Sequence, residues 1–219
     1  MITDILNQIY HSGVVAIIRG IPEEGINQTL TALETGGVTA IEITMDTPGA
    51  LHIIEQVKAT FGNKMCIGSG TVLDPETARA AILAGADFVL SPALSAKVIE
   101  VCQRYSRLAI PGVLTPTEIL TAWESGAQLV KVFPARTLGP EYLQDIKGPL
   151  SQVELMPVGG VGPENAAEFI RCGAHSLGIG SQLVNASRVR QGRFEEITQK
   201  AVELVNKVKE ARTISEGII

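Results

Sequence analysis

Apolar residues along this chain gather into short runs, separated by mixed stretches with helical spacing. Four of the runs start alike. Gly36-Gly37-Val38-Thr39-Ala40-Ile41-Glu42-Ile43, Gly85-Ala86-Asp87-Phe88-Val89-Leu90, Gly126-Ala127-Gln128-Leu129-Val130-Lys131-Val132 and Gly173-Ala174-His175-Ser176-Leu177-Gly178-Ile179 each follow a helix-like segment. Glycine after a helix supplies the left-handed turn that ends it, so each run marks a helix-to-strand corner. Other strand-like runs lie between them, at 14–18, 65–68, 108–110 and 153–157. Strands alternating with helices imply βαβ units and a parallel sheet. Eight such strands predict an α/β fold, a closed (β/α)8 TIM barrel.

Proline marks where the helices begin. Thr47-Pro48, Asp74-Pro75, Thr115-Pro116, Gly139-Pro140 and Gly162-Pro163 each put proline at or near a first helical position. The helices are predicted over 23–35, 48–60, 75–84, 95–105, 116–125, 140–147, 163–172 and 194–211. An extra N-terminal helix over 3–11 precedes the first strand and is placed to plug the bottom of the barrel. The stretch 213–219 has no pattern and reads as a loose tail.

Composition narrows this picture. Hydrophobic residues are 45% and aromatic ones only 4%, which means an aliphatic core. No linker or charge block divides the 219 residues, so 1–219 reads as a single domain. The net charge is -5 with no basic cluster, which argues against nucleic acid as a partner. No apolar run is long enough to span a bilayer, and the N-terminus lacks a basic segment followed by an apolar core. Cys66, Cys102 and Cys172 are far apart and fit neither a zinc motif nor a disulfide framework. Reduced thiols in a cytoplasmic protein are the expectation. His11, His52 and His175 have no metal-ligand spacing, and no metal or other cofactor is expected.

Chemistry in such a barrel sits at the C-terminal ends of the strands. The first strand ends at Arg19, the second carries Glu42 and Thr44, and the third ends at Gly70-Thr71. The fourth ends at Ser91-Pro92, the fifth at Pro111-Gly112, and the sixth carries Lys131 and Phe133. The seventh ends at Gly159-Gly160 and the eighth at Gly178-Ile179-Gly180-Ser181. Lys131 stands out, because a lysine inside a buried run is rare unless its charge or its amine is used. One use is a structural ion pair or a head that snorkels to water. The other is a desolvated amine, kept partly unprotonated, that attacks a carbonyl. Glu42 also lies on an even-numbered strand, and alternate strands feed one interior layer, so that layer holds both groups. A buried ion pair costs desolvation that its attraction often fails to repay, so an acid/base beside a nucleophile is the better use of the pair. Phe133 shares the face of Lys131, as core or as the dry wall beside the amine. The glycine turns after the last two strands, Gly159-Gly160 and Gly180-Ser181, are either tight turns or a phosphate cradle; the location favours the cradle. Arg19 is a solvated loop residue or the bidentate holder of a substrate carboxylate. Thr71 adds a hydroxyl.

Glu42-Ile43-Thr44, Gly68-Ser69-Gly70-Thr71-Val72, Ser91-Pro92, Pro111-Gly112, Lys131-Val132-Phe133-Pro134 and Pro157-Val158-Gly159-Gly160-Val161, in that order, resemble the 2-keto-3-deoxy-6-phosphogluconate (KDPG) / 4-hydroxy-2-oxoglutarate (KHG) aldolase family. The resemblance implies a trimeric class I aldolase that cleaves the phosphorylated sugar acid KDPG to pyruvate and glyceraldehyde 3-phosphate. It implies that Lys131 forms the Schiff base and that Glu42 shuttles protons. Thr71 and Pro92 match the pyruvate pocket, Phe133 the apolar residue near the lysine, and Gly159, Gly160, Gly180 and Ser181 the phosphate end. Two positions depart from the pattern. Many members carry an arginine where this chain has Asp46, so the carboxylate-holding role passes to Arg19. Many gluconate-type members carry threonine where this chain has Val158, and galactonate-type relatives resemble the Val-Gly-Gly-Val form, which leaves the C4 preference open. Oxaloacetate decarboxylation and KHG cleavage follow from the same iminium chemistry. The alternatives are the phosphogalactonate aldolase, a phosphosugar epimerase or isomerase, and a non-catalytic sugar-phosphate binder on the same barrel.

Overall fold

A computed structural model describes residues 2–216. The elements are α1 (Ile2–Ser12), β1 (Val14–Ile18), α2 (Ile26–Thr35), β2 (Ala40–Thr44), α3 (Ala50–Phe61), β3 (Cys66–Gly70), α4 (Pro75–Leu83), β4 (Phe88–Leu90), α5 (Ala96–Arg104) and β5 (Leu108–Ile110). There follow β6 (Gly112–Val113), α6 (Pro116–Glu124), β7 (Leu129–Val132), α7 (Glu141–Lys147), β8 (Glu154–Pro157), α8 (Ala166–Arg171), β9 (Leu177–Ile179), α9 (Ala186–Arg190) and α10 (Phe194–Glu216).

All strand pairs are parallel, and they form two ladders. One runs β5-β4-β3-β2-β1-β9 and the other β6-β7-β8. The result is a curled parallel sheet, not the single continuous eight-strand ladder that the sequence predicts. Pro111 is the reason at one seam. It has no N–H to donate, so one predicted strand splits into β5 and β6, although Lys131 N still donates to Pro111 O at 2.8 Å. At the other seam β9 is only three residues long, and β8 reaches it through the single bridges Leu155–Ala174 and Val158–Gly178.

Alternation along the strands builds two cores. Val14, Ala16 and Ile18 of β1, Ile41 and Ile43 of β2, and Val130 and Val132 of β7 pack outward under the helices. Val15, Ile17, Ala40 and Leu129 point the other way, into an inner cluster with Phe88, Leu90 and Met156. Ile5 and Ile9 of α1 join that inner cluster, so the extra helix closes one end of the curl. The same alternation turns Glu42 and Lys131 inward.

Gly68 shows how tightly the inner layer is packed. A Cβ there would lie 2.1 Å from the Phe88 ring. Gly68→Ala is therefore expected to cost about 1–3 kcal/mol or more of stability, the usual penalty of overpacking, read from the urea midpoint.

Helix starts follow sequence where proline sits at N1. Asp74 accepts from Thr77 N at 2.6 Å ahead of Pro75, and Thr115 with Glu118 forms a capping box ahead of Pro116. Pro48 and Pro163 instead lie in turns before α3 and α8. The five-residue α9 has no apolar period to announce it. The tail prediction is corrected over 213–216, which continue α10 as helix, while 217–219 lie outside the described residues. Arg212 explains the longer helix: it donates to Tyr10 O at 2.6 Å and His175 O at 2.7 Å, tying α10 to α1. No helix among the described residues is long and apolar enough to cross a membrane.

Candidate active site

The curl opens at the C-terminal ends of the strands into a cavity of about 470 Å³. Ten residues put forward from the sequence line it: Lys131, Glu42, Arg19, Thr71, Pro92, Phe133, Gly159, Gly160, Gly180 and Ser181.

Lys131 and Glu42 are both buried, 5% and 1% exposed. β2 pairs Glu42 with Gly68, and β7 pairs Lys131 with Gly112 and Met156. Gly70 makes room for the carboxyl, since a Cβ there would lie 2.6 Å from Glu42 Cδ. Glu42 Oε2 is buried with no hydrogen-bond partner among the described residues. Burial raises the Glu42 pKa and the nearby Asp46 adds to this, while the Lys131 and Arg19 charges oppose it. Burial also lowers the Lys131 pKa; Glu42 opposes this and Arg19 adds to it. Both shifts run toward the uncharged forms of the two groups. Such a pair supplies a nucleophile and its proton donor together.

Phe133 is 37% exposed, so it is rim and not core. Its ring centroid lies 5.0 Å from Lys131 Nζ. Gly159 lets the ring sit there, because a Cβ would meet it at 3.2 Å. Pro92 is placed by Gly112, whose absent Cβ would strike the Pro92 carbonyl carbon at 2.3 Å.

Arg19 is not loose at the strand end. Its Nη1 donates to Asp46 Oδ2 and its Nη2 to Thr71 Oγ1 at 2.8 Å. Asp46 thus pairs with the arginine instead of supplying one. Thr71 has φ +58°, a left-handed conformation costly for a β-branched residue, of order 1–3 kcal/mol. Strain of that kind persists where the surroundings fix it, here between Arg19 and the end of β3.

Sequence reasoning missed Arg136, Gln182, Ile17 and Val161, which also line the cavity; Gly178, placed at the end of the eighth strand, lines it without an assigned role, and Val158 was weighed only for its departure from threonine. Ile17 was legible from alternation with Ile18. Arg136 and Gln182 lie just past the strand ends, in turns whose shape no periodicity gives. Thr44, carried by the second strand, bonds Thr47 Oγ1 at 3.1 Å and is not part of the cavity lining.

Three comparisons bear on this site. The description KDPG and KHG aldolase matches residues 5–200. The 2-dehydro-3-deoxy-6-phosphogalactonate aldolase of Escherichia coli is 35% identical over 199 residues, 90% of this chain and 95% of that protein. The KHG/KDPG aldolase of Escherichia coli is 33% identical over 179 residues, 81% and 84% of the two chains. Among solved structures, the KDPG aldolase of Legionella pneumophila, with pyruvate captured as a covalent carbinolamine, superposes with a TM-score of 0.85 at 28% identity, covering 91% of this chain and 97% of that one.

Proposed function

The chain belongs to the KDPG and KHG aldolase family, a family of carbon-carbon lyases, and on that premise we propose that it is a class I aldolase using Lys131 as its Schiff-base nucleophile and Glu42 as its proton shuttle. The observation that carries this reading is the placement of a lysine and a glutamate, both buried, in the lining of one cavity at the strand ends, where burial lowers the pKa of the first and raises that of the second. An epimerase or a binding protein has no use for a free amine held in this way.

The steps follow from the pair. The Lys131 amine attacks the C2 ketone. Glu42 gives a proton to the departing oxygen, water leaves, and an iminium remains. The glutamate, now a carboxylate, takes the proton of the C4 hydroxyl as the C3–C4 bond breaks, and the bonding electrons flow into the iminium. Glyceraldehyde 3-phosphate departs. The enamine takes a proton at C3, and water releases pyruvate from the resulting iminium. Splitting the reaction through a covalent intermediate replaces one hard step with easier ones. Arg19 and Thr71 hold the carboxylate, and the glycine turns hold the phosphate.

The substrate on this reading is 2-keto-3-deoxy-6-phosphogluconate. Val158 favours a second reading, the galactonate epimer. It lines the cavity with an aliphatic side chain, pressed against Gly178, where a Cβ would lie 2.5 Å from Val158 Cγ2. We also infer that the two ladders close as one eight-stranded barrel, with β5 and β6 acting as a single broken strand.

The test offers both epimers to the enzyme and follows pyruvate and glyceraldehyde 3-phosphate with coupled dehydrogenases. Equal amounts of both products from either epimer support the aldolase reading, and the ratio of kcat/KM assigns the substrate. No pyruvate from either one overturns it.

A further inference from the structure

The cavity has three cationic side chains, and each has different company. Arg19 is ion-paired with Asp46, and Lys131 is buried beside Phe133. Arg136 is exposed and has no carboxylate partner among the described residues. Glu42 is the only acidic residue in the lining among the described residues, and burial favours its neutral form. The uncompensated fixed positive charge of the cavity is therefore Arg136.

Its position is set by the glycine turn. Ala135 N donates to Val158 O and Arg136 N to Gly159 O, both at 2.8 Å, which fastens the segment after β7 to the end of β8. Gly160 has φ +83°, and a Cβ on it would lie 2.5 Å from Arg136 Cβ and 3.4 Å from Nε. Only a bare Gly160 lets the arginine stem lie along this turn. Arg19 and Thr71 lie at the ends of β1 and β3. Along the order β3-β2-β1-β9, continued to β8 by its bridges to the β9 segment, the Arg136 turn is four strands from Thr71. The two guanidinium groups therefore come from separate segments of the cavity wall.

We infer that Arg136 is a specificity-determining residue which grips the phosphoryl group of the substrate beside the Gly159-Gly160 turn. This rests on the aldolase reading for the identity of the substrate, but not for the anion site itself. A guanidinium presents paired N–H donors that match phosphate oxygens, and it stays charged throughout the working pH range. Backbone amides alone would take a phosphate or a small neutral polar group. An unpaired arginine beside them selects the dianion.

Two measurements test it. Inorganic phosphate is titrated into the wild type and Arg136→Ala with 31P NMR detection, which needs no turnover; binding at least about 10-fold weaker in the variant is expected for the loss of one charge-assisted contact. Kinetics then compare the phosphorylated substrate with 4-hydroxy-2-oxoglutarate, which has no phosphate. Arg136→Ala is expected to raise KM for the phosphorylated substrate about 10–100-fold, with kcat changed little. It lowers kcat/KM for 4-hydroxy-2-oxoglutarate far less than for the phosphorylated substrate, and Arg136→Lys recovers part of the loss. Unchanged phosphate binding, or an equal fall for both substrates, overturns the assignment. If the wild type cleaves neither substrate, the aldolase reading fails, and the phosphate titration still decides the role of Arg136.

Discussion

Lys131→Ala is expected to lower aldol cleavage by on the order of 10⁴-fold or more, the scale on which enzymes lose turnover when a covalent nucleophile is removed. The reason is specific to the site. The amine is buried in β7, its neutral form is favoured by desolvation, and no other lysine among the described residues lines the cavity. The loss is not one of folding. Removing a buried amine relieves a desolvation cost that offsets the space left by its stem, so the variant is expected to remain folded, as a denaturant titration checks. The pH dependence carries the same signature. Because the Lys131 pKa is lowered, the free amine is present at pH values where an ordinary lysine is still ammonium. Trapping by pyruvate and borohydride in the wild type therefore reaches its plateau below the usual lysine range. A rate that climbs only in that range would place the amine in water.

Glu42→Gln is expected to lower kcat by about 10²–10⁴-fold, the contribution of a positioned general acid/base. The amide keeps the shape of the carboxyl but neither gives nor takes the proton that carbinolamine dehydration and C4 deprotonation require. Lys131 remains, so pyruvate still forms its adduct in Glu42→Gln, only more slowly. That split separates the shuttle from the nucleophile. Burial raises the Glu42 pKa, so the group keeps its proton to a higher pH than an exposed glutamate. The acid limb of the wild-type kcat profile accordingly lies above the usual carboxylate range, and the glutamine variant loses that limb.

Much of this site was legible because period-two alternation is rigid. Once Ile41 and Ile43 face outward, Glu42 must face inward, and Val130 and Val132 force the same on Lys131. The glycines at 70, 159 and 160 were legible as turn residues. Their second purpose, leaving space for Glu42, Phe133 and Arg136, is a three-dimensional property. Arg136 itself was hidden for that reason: it lies beyond the strand, in a short turn that joins neighbours by backbone bonds. Pro111 was visible at a strand end, but its effect on the ladder depends on which neighbour needs the missing N–H. The end of α10 was misread because its polar residues show no apolar stripe, while the bonds that hold it reach back to Tyr10 at the other end of the chain. Asp46 read as a lost arginine. In space it is the partner of Arg19, which keeps a cation at the place where the carboxylate role requires one.

The central claim is a covalent imine on one lysine. The direct test incubates the intact protein with pyruvate and sodium borohydride, then maps the modified peptide by mass spectrometry. The account predicts a single pyruvate-derived adduct on Lys131, absent in Lys131→Ala. A folded protein that takes no adduct, or takes it on another lysine, would contradict it.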